Sequence, residues 1–307
     1  MKQAIRLDSN LTVAYNNLAG LYIKQLSYDA AVETSRKALD TNARRYDRHI
    51  TYKNLGIALR EQGDISAALD AHLKAIEMVP TNSEAYDCLG SDYLAQHQID
   101  LAIQAYRTAL KWDPFSHQTY NNLGMAYTAK MDIRKAAEMY TRAITIKPDF
   151  VLAYSNLGSL YLDQRAEKAI PLLQRAIELD PTFADAYNNL GLALIKMGVF
   201  EAGISKLERA LRLKPNHPDA TFNLARVYEL TGKYELAVAQ YKKSIGLNPH
   251  DVRAYQNAGS VYLNHLKDKE QAVRLFQQAL SIKADHPESE RLKSIINELG
   301  KDNRTNE

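Results

Sequence analysis

The stretch that decides the fold is "AYNNLGLAL", Ala186 to Leu194. Close variants recur along the chain: "AYNNLAGLY" from Ala14, "TYNNLGMAY" from Thr119 and "AYSNLGSLY" from Ala153. At 3.6 residues per turn, Tyr187, Leu190, Gly191 and Leu194 share one helix face. The small residue after the Leu sets a register of Ala19, Gly56, Gly90, Gly124, Gly158, Gly191, Ala225 and Gly259, spaced 37, 34, 34, 34, 33, 34 and 34. Calling that residue position 8 of a unit, a second small residue follows at position 20: Ala31, Ala68, Ala102, Ala136, Ala169, Gly203, Ala237 and Ala272. A third follows at position 27: Ala38, Ala75, Ala109, Ala143, Ala176, Ala210, Ser244 and Ala279. Proline closes most units, at Pro80, Pro114, Pro148, Pro181, Pro215 and Pro249.

The spacing predicts two helices per unit. A small residue at position 8 lets them approach closely, and a bulky one near position 24 fills the space between them. Leu73, Tyr106, Tyr140, Leu207, Tyr241 and Phe276 form the expected bulky set. The closing proline cannot continue a helix. Glycines in "QGD" (62–64), "MGV" (197–199) and "TGK" (231–233) supply the left-handed conformation that the inner turn needs. Changes of unit length fall in connections: three extra residues before the second unit, one fewer around Arg165 and Ala166, one more around "LKDKE". Pro171 is expected in the first turns of a helix, where a missing N–H matters least.

This pattern resembles the tetratricopeptide repeat family, whose unit is a 34-residue helix–turn–helix with Leu-Gly, aromatic, Ala and Pro residues at these offsets. The resemblance implies an all-α, right-handed superhelical α-solenoid. Its organisation is expected as residues 1–11, a partial repeat holding only a second helix; 12–285, eight repeats in one domain; 286–300, a capping helix; and 301–307, a disordered tail. In "PESERLKSIINEL", Leu292, Ile295, Ile296 and Leu299 share the side that would cover the last repeat. The partial first unit is expected to belong to a longer parent protein.

The whole chain limits the function classes. Its 307 residues are 46% hydrophobic and 24% charged, a foldable composition. Length alone suggests two domains, but a fixed period describes one stack. The formal net charge is only +3 with no long basic run, so no nucleic-acid partner is expected. Arg44, Arg45 and Arg48 form the densest basic patch, read as a solvated loop or else as a dock for an acidic partner. Cys88 is the one cysteine, which excludes an intrachain disulfide. No apolar run approaches the ~20 residues needed to span a bilayer, so no membrane insertion by this chain is expected. The cytoplasm is the default compartment, and a periplasmic domain would look alike.

No chemistry-bearing motif is found. The eight histidines show no metal-ligand spacing. His217, His250 and His286 adjoin prolines and read as solvated loop residues. No phosphate-binding glycine loop or nucleophile elbow occurs. No catalytic residue, metal or cofactor is expected.

Position 6, two residues before the small one, carries the functional signal. It holds Asn17, Asn54, Cys88, Asn122, Asn156, Asn189, Asn223 and Asn257, while position 5 beside it varies. Asn in a helix interior costs up to roughly 0.7 kcal/mol relative to Ala, so its recurrence suggests an offset. An amide offers one acceptor and two donors on a short arm, and a row of them suits the alternating N–H and C=O groups of an extended peptide. A bond across to a neighbouring repeat, or inheritance by duplication, would explain the recurrence without a ligand. The row is similar to the asparagine ladder in the repeats of the O-GlcNAc transferase family, which implies extended protein segments as partners. That family's catalytic domain has no counterpart here.

The expected function is therefore a non-catalytic scaffold that binds an extended peptide in the concave groove. The expected contacts are Asn17, Asn54, Asn122, Asn156, Asn189, Asn223 and Asn257, with Phe222 and Arg226 beside them. Position 9 (Ile57, Met125, Leu192) and position 12 (Ile23, Leu94, Leu162, Ile195, Leu263) add apolar contacts, and Arg60 and Arg253 add charge. The carboxylate clamp of heat-shock cochaperones in the family is excluded: Lys53 fits it, but Ile57, Glu84 and Asp87 do not. One alternative is a substrate-selecting segment of a larger enzyme such as a glycosyltransferase. Another is an assembly scaffold that self-associates end to end through the N-terminal end.

Overall fold

The computed structural model describes residues 11–41, 45–163, 165–283 and 288–304, with side chains from 47 in the second segment and up to 299 in the last. The described chain is all helix and turn. It forms two compact units, residues 1–160 and 161–307. Residues 1–10 of the expected partial repeat and the Arg44 part of the basic patch lie outside the described residues, as does His286.

The first unit holds α1 (Thr12–Lys24), α2 (Tyr28–Leu39), α3 (Arg45–Glu61), α4 (Ile65–Met78), α5 (Ser83–Ala95), α6 (Ile99–Trp112), α7 (His117–Ala129), α8 (Ile133–Ile146) and α9 (Val151–Tyr161) up to its last residue. The second holds α10 (Ala166–Leu179), α11 (Ala184–Lys196), α12 (Phe200–Leu213), α13 (Pro218–Leu230), α14 (Tyr234–Leu247), α15 (Val252–Val261), α16 (Lys269–Ile282) and α17 (Ser289–Arg304). In the first unit α1 to α8 pack on each other in succession, and in the second α10 to α17 do, as an α-solenoid of helix pairs requires. Within the first unit α1, α3, α5 and α7 also touch in succession, and within the second α11 touches α13. Successive second helices make no comparable contact among the described residues. First helices therefore occupy the more crowded side of each unit.

The register explains this packing. The position-20 residues Ala31, Ala68, Ala102, Ala136, Ala169, Ala237 and Ala272 are fully buried. Gly56, Gly90, Gly124, Gly191 and Gly259 each lie under the bulky side chain of the partner helix. A Cβ on Gly124 would sit 2.6 Å from the Tyr140 ring, and one on Gly259 2.5 Å from the Phe276 ring. Only glycine permits that approach. In the second repeat the bulky position belongs to His72, which is fully buried over Gly56, whereas Leu73 is exposed. The expectation for Leu73 is thus corrected: the helix phase set by Ala68 and Ala75 carries residue 72, not 73, inward.

Turns follow from local chemistry. Before each closing proline the chain leaves the helix: Val79, Asp113, Lys147, Asp180, Lys214 and Asn248 have φ between −130° and −139° and ψ between 85° and 96°. Proline disfavours the helical region for the residue before it. Asn82, Ser116, Asp64 and Asp132 then accept from backbone N–H groups in the first turns of α5, α7, α4 and α8. The inner turns contain a left-handed residue, Gly63, Gly198 or Gly232 as expected, but also Leu26, His97 and Met131. The extra residue of the last repeat is absorbed as a π-helical turn, Tyr262–Leu266, ending in left-handed Lys267.

Three further expectations change. Pro171 is the sixth residue of α10, beyond the turn whose N–H groups lack partners, so its ring removes one helix bond. Arg48 lies within α3, half-buried, with Nη2 3.5 Å from the Leu39 and Thr41 carbonyl oxygens, rather than in a solvated loop. At the C-terminus α17 runs to Arg304, four residues into the expected tail. Leu292 and Leu299 of that helix are buried, and Ile295 and Ile296 pack on the core of the second unit.

Candidate functional site

The asparagines at position 6 share a bonding pattern. Asn122 donates from Nδ2 to both carboxylate oxygens of Asp87, at 3.2 and 3.1 Å. Asn156 donates to Asn121 Oδ1 at 2.9 Å, and Asn223 to Asn188 Oδ1 at 2.9 Å. Asn54 donates to the Asn16 carbonyl oxygen at 3.0 Å. In every case the acceptor is position 5 of the preceding repeat. At position 5, Asn16, Asn121, Ser155 and Asn188 are buried. The architectural role weighed from the sequence is therefore present at four rungs.

The rungs are not equivalent. In the second unit Asn188 relays the bond onward, donating to Asn189 Oδ1 at 3.0 Å. Asn257 donates to the Tyr241 hydroxyl at 3.2 Å, which itself donates to Glu229 at 2.6 Å. Burial and the Glu229 carboxylate raise that phenol above its ordinary range. Asn54 is buried, so its amide serves packing. Asn17 is exposed and makes no side-chain hydrogen bond among the described residues. Asn122, Asn156 and Asn223 are half-buried, and their Oδ1 atoms accept no hydrogen bond among the described residues.

Cys88 interrupts the ladder. Beside it is a cavity of about 310 Å³ lined by Lys53, Ile57, Asp87, Cys88, Gln118 and Thr119. Desolvation raises the Asp87 carboxyl above the usual range and pushes the Cys88 thiol up to about 12. Lys53 is ion-paired with Glu84, which withholds its ammonium from any clamp. Below the gap, Arg60 reaches Asp92 at 3.3 Å, and Asp92 lies 2.5 Å from His72 Nδ1. The other His72 ring nitrogen faces the Lys53 carbonyl oxygen at 3.3 Å. Arg60 is thus engaged with a buried carboxylate rather than directed outward. Sequence inspection missed this group because His72 occupies a place expected to be apolar.

Other expected contacts are redistributed. Phe222 is buried, with its ring 5.8 Å from that of Tyr241 and the Arg253 guanidinium 4.8 Å from its centroid. That placement makes it a core residue rather than a groove contact. Arg253 is also held by Asp251 at 2.9 and 2.8 Å, while Arg226 is exposed. Ile195 packs onto Gly203 of its own repeat, and Met125 is exposed. His217 is not a solvated loop residue: it is buried, caps α13 by accepting from Ala220 N, and lies 2.9 Å from Asp185. His250 is exposed. No group of three metal-ligating side chains occurs among the described residues. No described helix is long and apolar enough to cross a membrane.

Comparison with known proteins agrees with this architecture. Models of the tetratricopeptide repeat match residues 10–81, 117–150, 188–252 and 252–286, and a TPR repeat model matches 163–198. Among curated proteins, none matches the sequence. Among solved structures, the Cut9–Hcn1 hetero-tetramer of the APC/C aligns with a TM-score of 0.70 and 18% identity, over 89% of this chain and 52% of that one. PilW, a type IV pilus biogenesis factor, aligns with a TM-score of 0.63 and 23% identity, over 68% and 97%. MamA is 31% identical over 55% of this chain and 92% of its own, with a TM-score of 0.46. With matching repeat models along most of its length and the helix pairs to go with them, the chain belongs to the tetratricopeptide repeat family.

Proposed function

We propose that the chain is a non-catalytic binding scaffold whose position-6 amides hold an extended segment of a partner protein. The observation that supports this reading most is the anchoring of Asn122, Asn156 and Asn223. Each donates one N–H sideways to the repeat before it. Each is half-buried, and each leaves its Oδ1 available to accept. An amide already fixed by one bond loses little conformational freedom on making another. Neighbouring amides such as Asn122 and Asn156 suit backbone N–H donors of an extended chain, and contacts to backbone are indifferent to side-chain sequence. Selectivity would come from neighbours such as exposed Met125 and Arg226.

The anchoring also supports a second, purely architectural reading, most directly at buried Asn54. Binding separates the two. Peptides selected from a displayed library against the wild-type chain are titrated against Asn122→Ala, Asn156→Ala and Asn223→Ala variants of confirmed helicity. The binding reading expects weaker capture by each folded variant and unchanged capture by Asn54→Ala, provided that it too is folded. Equal capture by all would leave only the architectural role.

A further inference from the structure

A basic concavity lies in the first unit, apart from the ladder, where α6 passes the end of α7 and the start of α8. It encloses about 550 Å³, and its lining includes Arg107, Lys111, Tyr127, Lys130 and Lys135 with a single carboxylate, Asp100. Tyr127 is buried and forms a wall of the site. Its hydroxyl accepts from Arg107 Nη2 at 2.8 Å, and Lys135 Nζ lies 5.4 Å from its ring centroid. Lys130 pairs with Asp100 at 2.6 Å and Lys135 with Asp132 at 2.9 Å. Arg107 and Lys111 have no carboxylate partner among the described residues. Both are exposed.

The repeat register supplies an internal comparison. In the seventh repeat Tyr228 occupies the place of Tyr127, and its hydroxyl bonds to Glu208 at 3.3 Å. Glu208 stands where Arg107 stands, and Arg212, 4.0 Å from Glu208, where Lys111 stands. Thr231 and Leu236 replace Lys130 and Lys135. The same helix packing therefore forms without an excess of cations. Packing does not explain the cations of the first unit.

We propose that this concavity docks an acidic segment of a partner polypeptide, with carboxylates seated on Arg107 and Lys111. The Tyr127 bond fixes one edge of the Arg107 fork, leaving the rest to engage a carboxylate in two-point fashion. An acidic polypeptide fits better than a nucleic acid. The cations are confined to one concavity flanked by Asp100 and Asp132, whereas nucleic acid binding draws on a long basic track. The inference does not rest on the ladder and stands or falls separately.

The test is fluorescence anisotropy with a short labelled glutamate-rich peptide, its glutamine analogue, and a labelled single-stranded RNA. The proteins are wild type, Arg107→Glu/Lys111→Glu, and Arg212→Glu as the matched control. Wild type and Arg212→Glu should bind the glutamate peptide alike, more tightly than the other two probes, and less tightly as salt rises. The double variant should bind it about tenfold more weakly or worse. Circular dichroism establishes that each variant is folded; if charge reversal unfolds α6, Arg107→Gln/Lys111→Gln serves instead. Equal binding of the glutamate and glutamine peptides, equal binding by wild type and the folded double variant, or preference for RNA would each overturn the proposal.

Discussion

Replacing Asn223 by Ala tests the ladder as a structural device. Asn223 donates to Asn188 Oδ1 at 2.9 Å, and Asn188 is only 6% exposed. Alanine removes the bond and strands a buried acceptor, which costs about 1–3 kcal/mol. Alanine is the better helix former by up to about 0.7 kcal/mol, so the net loss should be about 0.5–2 kcal/mol. Asn17 is the matched control: it is exposed and makes no side-chain hydrogen bond among the described residues, so Asn17→Ala should be neutral or slightly stabilising. Urea unfolding followed by circular dichroism measures both. Repeat proteins open locally, so hydrogen exchange in α11 and α13 should report where protection is lost. A double-mutant cycle with Asn188→Ala should show a coupling of about 0.5 kcal/mol or more. An Asn223→Ala variant as stable as Asn17→Ala, or a cycle without coupling, would refute the anchoring.

Four other outcomes follow from particular residues. Met131 holds a left-handed φ of 63° while its side chain is exposed, so Met131→Gly should raise stability in urea by about 0.5–1 kcal/mol. Gly124→Ala should lower it by about 1–3 kcal/mol because its Cβ would meet the Tyr140 ring, whereas Gly20→Ala, with open space around it, should raise it by about 0.5–1 kcal/mol. Burial raises the folded-state pKa of Asp87, so the folded state binds this proton more tightly than the unfolded one, and the group lowers stability as pH rises from the unfolded pKa through the raised folded one. Asp87→Asn recreates the amide pair seen at Asn121 and Asn156; its stability relative to wild type should therefore increase as pH rises through that window, as read from urea midpoints along a pH series. The Cys88 thiol, pushed up to about 12, should react with iodoacetamide in the unfolded chain but hardly in the folded one.

The sequence discloses the repeat architecture because its signals are steric. A glycine beneath a ring, alanines at positions 20 and 27 and a proline at the exit admit few substitutes, so one chain repeats them visibly. Polar groups inside the core were less legible. His72 was hidden because it is polar at a position that is apolar or aromatic in most other repeats, with Leu73 next to it. Phe222 looked exposed because position 5 is polar elsewhere, yet that position faces inward: the short residues Asn16, Asn121, Ser155 and Asn188 were its signal. The last repeat's insertion was visible as a count, but its form as a π turn depends on which backbone bonds shift. The ladder itself was legible as a pattern, while its partners at position 5 required three-dimensional register.

The proposed function seats the backbone of a bound segment on the anchored asparagine oxygens. Its most direct test is calorimetric titration of a selected peptide in which successive backbone N–H groups are N-methylated one at a time. An alternating set of methylations should each weaken binding by about tenfold, with the positions between them far less sensitive. Affinity that ignores backbone methylation, and tracks only the peptide's side chains, would contradict the claim.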